Sequence, residues 1–178
     1  AEGLSESEKQ WIFVTNWSLP TDELVEFVSA RVNGDTSCPF TLTLGARAGT
    51  GVRQYAGAIG RPYQASRGNY RQHSVYLGWV TCLLALVGIF SALSGDGRVH
   101  RREIVFFTCA AFLFCLCSLG RYCEPVYRVV YRMPFGDLVR APVKWHHLTE
   151  LSVAVLAAYG LDVLVRAAVA RAGLTRHV

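Results

Sequence analysis

The feature that most limits what this chain can fold into is a pair of apolar runs, 75–94 and 104–120, with no charged residue in either. A third run, 148–165, is interrupted only by Glu150 near its start and Asp162 near its end. The first two have no polar face, so neither suits the surface helix of a water-soluble domain. As a helix, 75–94 reaches about 30 Å, the thickness of a bilayer's hydrocarbon layer, and 104–120 lies at the short end of the spanning range. The turn GDGRVHRRE between them is short enough to make the two an antiparallel hairpin. Composition agrees: 17% of residues are charged, against about 25% in soluble domains. The apolar excess is confined to 75–178, and 1–74 reads as a polar segment. The prediction is a mainly α-helical integral membrane protein. It has three transmembrane helices at about 75–94, 104–120 and 148–165, an interfacial amphipathic helix at about 125–133, and an irregular extramembrane loop region over 1–74.

Within 1–74, WIFVTNWSLP reads as a short strand, an interfacial segment or part of a small loop domain; Trp11 and Trp17 suit a membrane–water boundary. SLPTDELVEFVSARV predicts a short helix over about 21–30: Thr21 or Ser18 caps it, and Leu24, Phe27 and Val28 recur at helical spacing. Asp22, Glu23 and Glu26 complement the positive end of that helix rather than forming an acid/base or metal cluster. GARAGTGVRQYAGAIG is rich in glycine but lacks the lysine of a phosphate loop, and reads as an exposed loop. The only methionine is Met133, and AEGLSESEKQ lacks the basic-then-apolar layout of a signal peptide. The chain is therefore expected to be a segment of a longer protein, with further spans elsewhere.

Between the second and third runs lies a loop rich in Arg, Tyr and Pro. Pro125 suits a first helical turn, and Val126, Val129, Val130 and Met133 follow on one stripe, with Arg128, Arg132, Tyr127 and Tyr131 behind it. Such a helix lies flat in the membrane interface. Pro134 and Gly136 end it, and Arg140, Pro142 and Lys144 lead into the third run. His146 and Glu150 are four apart, hence on one helix face, as are Asp162 and Arg166.

The net charge of +5 comes without a nucleic-acid-binding motif, and the arginines stand beside apolar runs. Anionic or phosphorylated lipids are the expected partners, not nucleic acid. Arg98, Arg101 and Arg102 form the densest cluster in a short loop, which places that loop in the cytoplasm, with Arg166, Arg171 and Arg176 on the same side. Residues 1–74, including Arg61, Arg67 and Arg71, and residues 121–147 then face outward. Cys82, Cys109, Cys115 and Cys117 lie inside apolar runs as small apolar residues, with no metal-site spacing. Cys38 and Cys123 share one side, as free thiols or as a disulfide where that side is oxidising.

The stretch LGRYCEPVYRVVYRMPFGDLVRAPVKWHHLTELSVAVLAAYGLDVL resembles the YfhO family of bacterial membrane proteins. The matching parts are GRY-x-x-P-x-Y, a short helix ending in Met-Pro, the Arg140-x-Pro142-x-Lys144 element and a run ending Ala-x-Gly-Leu-Asp. NWSLPTDELVEFV and NYRQHSVYLGWVTCLLALVGIF look like that family's outer loop and following span. The chain departs at Phe135-Gly136 and at Trp145-His146-His147. The resemblance implies a polytopic inner-membrane protein, similar to glycosyltransferases of the GT-C fold and engaged in glycosylating cell-envelope polymers from a polyprenyl-phosphate sugar. The acidic catalytic residue of those enzymes sits in a first outer loop that no position here matches, so no catalytic residue carries over.

On that expectation Arg121, Arg128, Arg132, Arg140 and Lys144 form a basic patch facing a lipid phosphate or headgroup, because guanidinium groups bind phosphate oxygens in pairs. His146, His147 and Glu150 are a weaker polar candidate, for proton transfer or a divalent ion; interfacial Arg and Tyr also anchor spans that do no chemistry. The alternatives are a transporter or flippase, which would need ionisable groups at mid-depth in its spans, and a non-catalytic anchor or assembly segment.

Overall fold

A computed structural model describes residues 3–29, 75–94, 100–134, 136 and 141–173. The glycine-rich stretch, Cys38, Arg61, Arg67, Arg71, Arg98, Arg140 and Arg176 lie outside the described residues. These are mainly helical and include no strand. The chain divides into two compact units, one of Ala1–Tyr76 and Cys115–His146, the other of Leu77–Phe114 and His147–Val178.

In the first unit, helix α1 (Glu6–Val14) opens on a reciprocal cap: the Glu8 backbone N–H donates to Ser5 Oγ, and the Ser5 N–H donates to Glu8 Oε2. WIFV is therefore helical and not a strand. The helix ends where the Thr15 hydroxyl donates to the Trp11 carbonyl (2.7 Å), and a 3-10 turn, Thr15–Trp17, follows. The helix expected over 21–30 is a shorter 3-10 helix, Thr21–Phe27. Glu23 and Glu26, read from the sequence as complements of a helix end, are buried and engaged. Burying a carboxylate is costly unless it is paired, so these two belong to the packing of this unit.

The core of the unit gathers Leu19, Val75, Leu119, Ala141 and Val143, with Phe27 and Leu116 against them. Each such side chain, fully buried, stabilises by about 1.5–3 kcal/mol. The Leu19 N–H donates to the Ser118 carbonyl at 2.9 Å, drawing segments a hundred residues apart side by side. Gly120 makes the approach possible: its φ is +50°, and a Cβ there would strike Ser18 Oγ and lie 2.8 Å from Pro142.

The element expected over 125–133 is helix α4, Glu124–Arg132. Pro125 occupies its first turn, and Pro134 prevents its continuation past Met133. Its packed residue is Tyr127, fully buried, whereas Val129 is 57% exposed and Met133 is likewise exposed. Val129 and Met133 thus look outward, Val126 and Val130 are half-buried, and Tyr127 faces the protein.

In the second unit, helices α2 (Trp79–Ser94), α3 (Arg101–Ser118) and α5 (His146–Arg171) surround Ala85, Ala92, Ile104, Leu156 and Ala157. α2 and α5 cross at Gly88 and Gly160, where a Cβ on Gly88 would stand 2.6 Å from the Leu156 carbonyl and one on Gly160 would overlap the Leu84 carbonyl. Small residues allow this contact, as they do between helices in lipid. Large apolar side chains point away from it. Leu93 is 71% exposed and Phe112 66%, and Phe90, Phe106 and Leu151 are also exposed.

The first apolar run becomes helical only at Trp79, since residues 75–78 are extended. One stretch, Pro142–Arg171, is long and apolar enough to cross a membrane, and only 11% of its most apolar window is buried. Arg101–Ser118 qualifies only together with Gly120–Arg132, and the chain bends by 112° between those two.

Candidate functional site

The residues of α4 that face α1 form a cleft of about 240 Å³, lined by Ser7, Glu8 and Trp11 from α1 and Arg128, Tyr131 and Arg132 from α4. Trp11 organises it. Its ring meets Tyr131 edge-on at 5.3 Å between centroids and Tyr127 at 6.0 Å, and the Arg128 guanidinium lies over it at 5.5 Å. A guanidinium on an indole face is a favourable cation–π arrangement. Arg128 also donates from Nε to Glu124 Oε1 at 2.6 Å, one helical turn earlier. Arg132 is exposed and has no ion pair among the described residues. Glu8 turns Oε2 to the Ser5 N–H (2.7 Å) and hydroxyl (2.8 Å). Those bonds hold its carboxyl below the usual carboxylate range, with the backbone bond the larger cause.

Tyr127 lies behind the cleft wall. Burial, and secondarily the Cys117 thiol nearby, push its hydroxyl up to about 12. It therefore stays protonated near neutrality and cannot serve as a base.

The five expected cations separate. Arg128 and Arg132 share the cleft. Arg121 instead gives Nε and Nη2 to the Thr15 carbonyl (2.9 and 2.8 Å), and its backbone N–H donates to Ser18 Oγ at 3.0 Å. Lys144 is exposed on the 3-10 turn Pro142–Trp145, and Arg140 lies outside the described residues.

The histidines separate as well. His146 is buried, with its ring against Phe27 at 4.7 Å and its Nε2–H donating to the Val75 carbonyl. Glu150 pairs with exposed His147 at 3.0 Å (Nδ1 to Oε2), three residues away. Among the described residues no group of three or more His, Cys, Asp or Glu could hold a metal ion. Cys123 is a free thiol.

Ser7 and Glu8 carried no functional expectation, and Trp11 only that of a membrane–water boundary. The Ser5-x-x-Glu8 pattern could have shown that a helix begins there and that Ser7 and Trp11 share a side, but not that α4 lies against it. No family model, curated protein or solved structure matches the chain.

Chemically, the cleft offers two guanidinium groups, a serine hydroxyl, a tyrosine and a carboxylate. That is equipment for binding a polar, partly anionic group. It contains no nucleophile activated by a neighbouring base.

Proposed function

We propose that the chain is a loop-and-span segment of a polytopic bacterial inner-membrane protein of YfhO type, which helps to glycosylate cell-envelope polymers from a lipid-phosphate-linked sugar. The observation that carries the membrane part is the outward display of Phe90, Leu93, Phe106, Phe112 and Leu151 on three packed helices. In water so much large apolar surface would drive association, and in a bilayer it is the face that lipid covers. α2, α3 and α5 are then the three spans. α4 lies in the interface with Val129 and Met133 toward the acyl chains. Arg101 and Arg102 sit in the cytoplasm, and 1–74 and 121–147 sit outside.

The envelope-glycosylation part rests on the resemblance of the Gly120–Asp162 stretch and on the cationic, aromatic cleft between α1 and α4. Arg128 and Arg132, with Arg140 and Lys144, supply the lipid-phosphate contact. A transporter or flippase is the weaker reading: Asp162 pairs with Arg166 at 2.9 Å as a partly exposed i, i+4 pair near the end of its run, rather than offering a free mid-depth charge.

Two measurements test this. Alkaline extraction of cell membranes should leave the protein in the bilayer, and its release would refute the membrane part. Sugar transfer to envelope polymer, assayed with the parent protein, should fall when Arg132 and Lys144 are changed together to Ala. Undiminished transfer at normal expression would refute the role given to the basic patch.

A further inference from the structure

We propose that the cleft between α1 and α4 is a binding site for a phosphodiester that carries a free hydroxyl, as in a polyol or sugar headgroup. Three observations carry it. Arg128 and Arg132 are one helical turn apart on α4 and reach the cleft from separate positions, and Ser7, whose hydroxyl is held by Ser5 Oγ at 3.0 Å, lines the opposite wall on α1. Donors from separate directions suit a tetrahedral oxyanion better than a planar carboxylate, which a single guanidinium satisfies. Arg132 has no ion pair among the described residues, so its charge is available to a ligand. Arg128, oriented by Trp11 and Glu124, presents its remaining N–H edge.

The hydroxyl follows from Glu8. A carboxylate in the same cleft repels a bare anion but accepts from a hydroxyl, and only its Oε2 is held by Ser5. With two guanidinium groups against Glu8 and Glu124, a singly charged diester fits better than a dianionic monoester. The cleft volume of about 240 Å³ leaves room for more than the phosphate group alone. The site deepens the function proposed above and rests on it for the ligand's source, which is a membrane lipid if the chain is integral.

The test is native mass spectrometry of the full chain in neutral detergent, with phosphatidylglycerol, phosphatidic acid, phosphatidylcholine and the soluble diester glycerophosphoglycerol as probes. Phosphatidylglycerol should be retained most strongly of the three lipids. Arg132→Gln should weaken it by about tenfold, the scale of one lost charge-assisted hydrogen bond. Ser7→Trp, which fills the cleft and leaves both guanidinium groups, should weaken it as much, whereas Arg171→Gln in the last turn of α5 should not. Competition by glycerophosphoglycerol would support the site and mark a soluble phosphodiester as sufficient. Lipid binding without that competition would support it with the acyl chains required. Equal retention of phosphatidylcholine, or equal loss in Arg171→Gln, would overturn the proposal. So would unchanged binding in both cleft variants, and circular dichroism of each variant confirms that it is folded. A chain that withstands alkaline extraction but fails here sinks the cleft alone, and a chain that binds in detergent but is released from membranes sinks only the membrane reading.

Discussion

The Nε2–H of His146 donates to the carbonyl of Val75 at 3.1 Å, across 71 residues of sequence. A carbonyl only accepts, so the ring proton sits on Nε2. The bond ties the residue that opens α5 to the extended segment preceding α2, under the ring of Phe27. His146→Ala removes the donor, leaves a buried carbonyl without it and opens a void against Phe27. Thermal unfolding in detergent should show a loss of about 2–4 kcal/mol. His146→Gln, which keeps an N–H donor, should recover part of it, and no recovery would mean that the ring's packing carries the effect.

Gly160 lies where α5 touches the backbone of α2, and an added Cβ would overlap the Leu84 carbonyl. Gly160→Ala should destabilise by about 1–3 kcal/mol as the helices are forced apart. Gly160→Leu should abolish the compact form, read as faster proteolysis. Ala167→Leu on the exposed face of the same helix should do neither.

Arg121 holds the Thr15 carbonyl with two donors. Arg121→Ala should cost about 1.5–3 kcal/mol, and Arg121→Lys should restore little, because an ammonium group cannot reproduce the planar fork. A variant as stable as the parent would show that the bonds from Leu19 and Ser18 hold the junction without it.

Tyr127 gives a pH dependence with a definite sign. Its folded value of about 12 lies above the ordinary value of about 10. The unfolded chain therefore gives up the proton first as pH rises. Stability from this group is full below about pH 10 and declines between about 10 and 12, by on the order of 2 kcal/mol. Tyr127→Phe should flatten that alkaline decline in chemical unfolding; an unchanged slope would assign it to other groups.

Much of the local structure was legible. Pro125 and Pro134 bracket α4, and the observed helix Glu124–Arg132 differs from the expected 125–133 by one residue at each end. α5 extends beyond the expected 148–165 at both ends, because His146 and Arg171 lie on helical backbone that hydropathy does not register. Apolarity likewise placed the start of the first run at Val75. The structure begins its helix at Trp79 because Val75 is drawn into the core of the other unit.

What the sequence determined by itself is what neighbours along the chain decide. The uncharged runs are largely helical, prolines bracket α4, and Ser5 with Glu8 starts α1. What only the tertiary structure decided is which of several similar side chains meets which partner. Arg121 and Arg128 read alike in sequence. One is bound to a carbonyl 106 residues away, and the other is laid over Trp11. The valine stripe of α4 and its tyrosines competed for burial, and Tyr127 won because Trp11 and the residues around Cys117 give it a place to pack. Such pairings depend on contacts between distant segments, and no spacing within either segment encodes them.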